Sequence, residues 1–150
     1  MRTFTVVPGR PHTWPGMPPA ARTVTEWLAA VRTTGDSDAA ERLMGPTVPA
    51  HQHVAERDET VVRTPSEYAA HVRDMLEDHG PFRLDVDELI VEADHVFVRW
   101  LQHGQVGHAD DPHATTRPLR EAGSAVYLVT DGRIQEYWIQ LDRLGEQLQR

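Results

Sequence analysis

Two tyrosines, Tyr127 and Tyr137, stand ten residues apart on either side of Asp131-Gly132. A phenol can donate a proton or a hydrogen bond to a carbonyl, an epoxide or a developing oxyanion. Each tyrosine lies in a stretch that alternates apolar and polar residues. Ala125 and Tyr127 therefore share one face of their strand, and Tyr137 and Ile139 share one face of the next. A single tyrosine on such a face is usually a wall residue, whereas two facing one pocket make a donor pair. Glu121 has the same parity as Ala125 and stands at the strand's entry, either as a pocket carboxylate or as a solvated charge at a loop end. Glu136 falls on the face opposite Tyr137 and reads as a surface or interface residue. His108, Asp110, Asp111 and His113 are residue types that hold zinc or manganese. Their spacing matches no ligand motif, so this stretch is expected to be a lid over a pocket, with no metal.

Other chemistries are excluded by residue type. The 150-residue chain has no cysteine, which removes disulfides, thiol nucleophiles and thiolate metal sites. Its formal charge is −8, with 15 basic residues scattered along the chain, a poor basis for binding nucleic acid. No nucleophile elbow, phosphate loop or dinucleotide fingerprint is present. No apolar run approaches the roughly 18 residues of a membrane span, and no signal peptide is evident, so a soluble, cytoplasmic protein is expected.

Several elements must position these side chains. Residues 1–20 carry five prolines, Pro8, Pro11, Pro15, Pro18 and Pro19. They predict an extended arm, with Trp14 available to pin it to a domain over residues 21–150. Val24, Trp27, Leu28 and Val31 fall at i, i+3, i+4 and i+7 and predict a helix over 23–33. A short helix follows, with Asp38 and Glu41 in capping spacing and Leu43-Met44 at its end. Pro46 and Pro49 then enforce an extended stretch through His51-Gln52-His53. Thr64-Pro65-Ser66-Glu67 marks the start of a third helix, its stripe Tyr68, Val72, Met75 and Leu76, its stop His79-Gly80-Pro81. Beyond it the period changes to 2, with strands over 82–91, 95–101, 125–129 and 134–141, a loop over 104–118, a hairpin turn at Asp131-Gly132 and a short closing helix. Helices followed by antiparallel strands predict an α+β fold, a curved antiparallel sheet around three N-terminal helices with a concavity between them.

The segments 96–100 and 126–138, with the tail 142–148, resemble the SnoaL-like polyketide cyclases of the nuclear transport factor 2-like superfamily. The first helix followed by Gly35-Asp36, and Leu43-Met44 leading to His51, are similar to the family's N-terminal half. The resemblance covers about residues 23–149. It implies a cone-shaped barrel, usually dimeric, with a deep pocket, and relatives that include aldol cyclases, ketosteroid isomerases, epoxide-opening enzymes and non-catalytic binding modules. Family members that do aldol chemistry carry an acid just after the tryptophan of the last strand, where this chain has Ile139. A polar partner stands on the neighbouring strand, where this chain has Ala125, and a histidine on the strand before that aligns near Val106. His51 corresponds to the family's histidine after the second helix, and an imidazole can exchange protons near neutrality.

The reading that follows is a small, cofactor-independent enzyme that cyclises or isomerises an apolar, oxygenated natural-product intermediate. His51, Tyr127, Tyr137 and Glu121 are its candidate proton-handling residues. Trp27, Leu28, Met75, Trp100, Gln102, Ala125 and Ile139 are the expected pocket lining, and a homodimer is expected. The alternatives are a non-catalytic ligand-binding or dimeric assembly module and an epoxide-opening enzyme.

Overall fold

Capping chemistry sets the helix starts. Asp36 accepts from the backbone N–H groups of Asp38 and Ala39 and so caps α2 (Ser37–Leu43), displacing the Asp38/Glu41 pair expected for that role. Thr64 and Glu67 form a reciprocal capping box at α3 (Pro65–His79). The first helix, α1 (Pro19–Trp27), continues into a π-helical turn over Leu28–Arg32. That wider turn buries Leu28, Ala29, Val31 and Arg32 together, and π turns of this kind are frequent at functional sites. The computed structural model describes residues 3–107, 112–113 and 115–150. His108, Asp110 and Asp111 of the expected lid lie outside them.

Seven strands form one sheet in the order β1-β4-β5-β6-β7-β2-β3. They are β1 (Phe4–Val6), β2 (Val48–Val54), β3 (Arg57–Arg63), β4 (Arg83–Glu92), β5 (His95–Val106), β6 (Arg117–Thr130) and β7 (Arg133–Leu141). A short helix, α4 (Arg143–Gln149), follows them. The α+β class and the antiparallel meander β4–β7 stand as expected. The Asp131-Gly132 turn has both residues at positive φ, 53° and 74°, as a primed hairpin turn requires.

Three features depart from expectation. The sheet is open rather than closed into a barrel, and it is mixed, because β2 runs parallel to β7. The stretch after Pro46 is one half of a hairpin whose turn residues, Ala55 and Glu56, both take positive φ without a glycine to signal it. The expected loop over 104–118 is partly strand, since β5 and β6 pair out to Val106↔Arg117.

The arm is folded onto the body. Phe4 pairs with Val86 of β4, making β1 an edge strand, and its ring stacks on His12 at 4.4 Å. Trp14 packs against the core beside Phe4, and Val6 and Met17 are buried. The core lies between the inner sheet face and the helices, with Trp27, Leu28, Tyr68 and Val72 opposite Val98, Trp100, Ala125 and Tyr127.

Candidate active site

Strand register decides which side chains meet. Tyr127 pairs with Tyr137, and Ala125 pairs with Ile139, on the inner face of β6 and β7. The two tyrosine rings lie 5.5 Å apart, and Trp27 packs 5.3 Å from Tyr127 and 5.2 Å from Tyr68. Burial pushes the phenol pKa values of Tyr127 and Tyr137 up, so both stay protonated donors.

Glu121 lies on the same inner face, 3% exposed, and is no solvated loop-end charge. Arg143 Nη1 donates to its Oε2 at 2.9 Å, while its Oε1 has no hydrogen-bond partner among the described residues. Burial raises the Glu121 carboxyl pKa, against the pull of Arg143 and Arg32. Its register partner is Gln102, also buried, whose Oε1 is likewise unpartnered. Trp100, two residues earlier on β5, faces Gly123. A Cβ on Gly123 would stand 2.7 Å from the indole ring, so this strand position has no room for a side chain.

A cavity of about 100 Å³ opens on this side of the sheet. It is smaller than the expected pocket, and it is not apolar. Tyr68, Tyr137, Met75 and Ile139 contribute to its wall, together with Arg32, Arg63, His71, Arg143 and Gln52. Met75 and Ile139 thus line this cavity. Trp27, Leu28, Trp100, Gln102 and Ala125 are packed into the core behind the wall and do not line the cavity. His71 titrates low, at about 4, because it is desolvated and sits in the field of Arg63, Arg32 and Arg143, opposed by Asp74. At neutral pH it is an uncharged imidazole.

His51 is not part of this group. In the parallel pairing of β2 with β7, Ala50 faces inward opposite Tyr137, and His51 faces outward opposite Trp138. Its Nε2 meets Glu136 Oε2 at 2.6 Å, its Nδ1 meets Thr60 Oγ1 at 3.0 Å, and its ring stacks on Trp138 at 5.3 Å. His51, Thr60 and Trp138 line an outer groove of about 650 Å³, on the far side of the sheet from the tyrosines. The histidine that does reach the cavity is His71. It is half-buried and lies three residues after Tyr68, on the edge of the buried stripe of α3, a spacing visible in the sequence. Arg32 likewise occupies the i+8 position of the stripe begun by Val24. Arg63 and Arg143 close strand and helix ends that periodicity does not mark.

The profile of the SnoaL-like polyketide cyclase family matches residues 22–150. The chain belongs to this family. Solved structures share its fold. A candidate polyketide cyclase from Acidithiobacillus ferrooxidans is similar at a TM-score of 0.73 and 21% identity, over 91% of this chain and 96% of that one. IdmH, a candidate polyketide cyclase from Streptomyces antibioticus, is similar at 0.70 and 20%, over 87% and 96%. A Catenulispora acidiphila protein with a ketosteroid isomerase-like fold is similar at 0.66 and 14%, over 91% and 93%. No curated protein matches the sequence. The SnoaL-like family binds small-molecule substrates, the partner class expected from the sequence. No helix among the described residues is long and apolar enough to cross a membrane.

Proposed function

We propose that this SnoaL-like protein is a cofactor-independent isomerase or cyclase of an oxygenated natural-product intermediate, working in the inner cavity. The observation that carries the reading is a protonated phenol, Tyr137, and an uncharged imidazole, His71, on the wall of one cavity. His71 accepts a proton from a carbon next to a substrate carbonyl. Tyr137 donates a hydrogen bond to the enolate oxygen that forms, and the surrounding arginines stabilise its charge. The proton then returns to another carbon, giving an isomer, or the enolate carbon attacks a second carbonyl and closes a ring, and His71 gives its proton to the alkoxide that this attack forms. Tyr127 packs behind Tyr137 and fixes its ring. Glu121 holds Arg143 in place on the cavity wall. His51 takes no part, because the sheet lies between it and the substrate.

The test is conversion of 3-cyclohexen-1-one to its conjugated isomer, followed by ultraviolet absorbance with no cofactor added. Tyr137→Phe lowers kcat by about 100-fold or more while leaving folding nearly unchanged, as loss of one oxyanion donor does. Unchanged turnover in that variant removes Tyr137 from the mechanism. The small cavity favours a second reading, a ligand-binding module, which is the outcome if ligands bind there and none is converted. We also infer a homodimer formed through the outer sheet face, where Trp138 is 40% exposed beside half-buried Phe97 and Val126. Light scattering of Trp138→Glu tests it, and a monomer is the expected result.

A further inference from the structure

The inner cavity gathers positive charge in a protein whose formal charge is −8. Arg32 is 4% exposed, forms no ion pair among the described residues, and leaves Nη1 without a hydrogen-bond partner. Its guanidinium carbon lies over the Phe82 ring, 5.7 Å from the ring centroid. Arg63, half-buried at the same cavity, also forms no ion pair among the described residues. No carboxylate among the described residues forms an ion pair with either arginine, although Arg32 acts on Glu121 through space. Glu121 is bound by Arg143, Glu146 by Arg150, and Asp74 is exposed.

A guanidinium cannot shed its proton, so a buried, unpaired arginine keeps its charge at a high cost in desolvation. A transient enolate would neutralise that charge for only part of a catalytic cycle. A permanent anion satisfies it in the resting complex, and a guanidinium matches the two oxygens of a carboxylate. We propose that this cavity binds the carboxylate of an organic acid through Arg32 and Arg63, so that the natural substrate carries a free carboxyl group. The proposal rests on the inner cavity's being the substrate site.

The probes are benzoate and benzyl alcohol, an anion and a neutral molecule of similar size, titrated at constant ionic strength. The Met75 methyl NMR signal reports binding, since Met75 lies on the cavity wall. Benzoate is expected to bind at least about tenfold tighter than benzyl alcohol, the gain of one charge-assisted hydrogen bond. Arg32→Met and Arg63→Gln are each expected to abolish most of that preference. Arg63 is half-buried, so its variant keeps the test open should the Arg32 variant misfold. Equal affinities for the two probes overturn the carboxylate inference and leave a cavity for neutral ligands. A preference for benzoate that survives in Arg63→Gln, and in a folded Arg32→Met, places the anion elsewhere and also overturns it. If neither probe moves Met75, the inner cavity is not the substrate site, and both this inference and the proposed function fall.

Discussion

Replacing Glu121 by glutamine should change how stability depends on pH, in a direction that the burial of the carboxyl sets. Burial raises the folded-state pKa of Glu121 above its ordinary value of 4.5, with Arg143 and Arg32 opposing. The folded protein therefore holds this proton more tightly than the unfolded chain does. The group's contribution to stability is fully present below about pH 4.5 and is lost as pH rises through the raised folded value. Inside that window the loss grows by about 1.4 kcal/mol for each pH unit. For a domain of this size that is roughly 3–6 °C in Tm per unit. Glutamine keeps an oxygen to accept from Arg143 and has no proton to lose. The stability of Glu121→Gln minus that of the wild type should therefore climb with pH above about 4.5 and then level off. Taking the difference cancels the groups common to both proteins, chiefly His71, Asp78 and Asp85, whose pKa values are all lowered. The assay is urea unfolding followed by tryptophan fluorescence, from about pH 4 to about pH 9. A flat difference would show that burial does not govern this carboxyl. A difference that falls as pH rises would show that Arg143 wins over desolvation and holds Glu121 charged.

Other expectations follow from single contacts. Gly123→Ala drives a methyl group into the Trp100 indole, 2.7 Å away without relaxation. It should cost about 1–3 kcal/mol by overpacking, read as a lower urea midpoint. His71→Asn should lower turnover of the unsaturated ketone. Because the folded-state pKa of His71 is lowered from 6.5 to about 4, the wild type loses stability as pH falls between those values, and the variant should lose less, measured by the same unfolding series. His51→Gln should leave that turnover unchanged, because its ring is held by Glu136 and Thr60 on the outer face. A fall in kcat would place the chemistry on the other side of the sheet.

What the sequence determined by itself is what lies in local periodicity and local chemistry. The Thr64-Pro65-Ser66-Glu67 start, the Asp131-Gly132 turn, the alternation that turns Tyr127 and Tyr137 inward and the motifs of the SnoaL-like family can all be read from neighbouring residues, because each depends on interactions a few positions apart. The β2–β3 hairpin could not be read so, because its turn uses Ala55 and Glu56 at positive φ and its charged, largely exposed strand β3 has no apolar alternation. The place of His51 was also out of reach. A parallel pairing between β2 and β7, more than eighty residues apart, sets which face it takes, and a slip of one residue would reverse it. The tertiary structure alone decided the character of the cavity. Arg32 from a π-helical turn, Arg63 from a strand end, His71 from α3 and Arg143 from the last helix converge only when the sheet closes over the helices. Their charges then act on one another because that closure removes the water that would screen them.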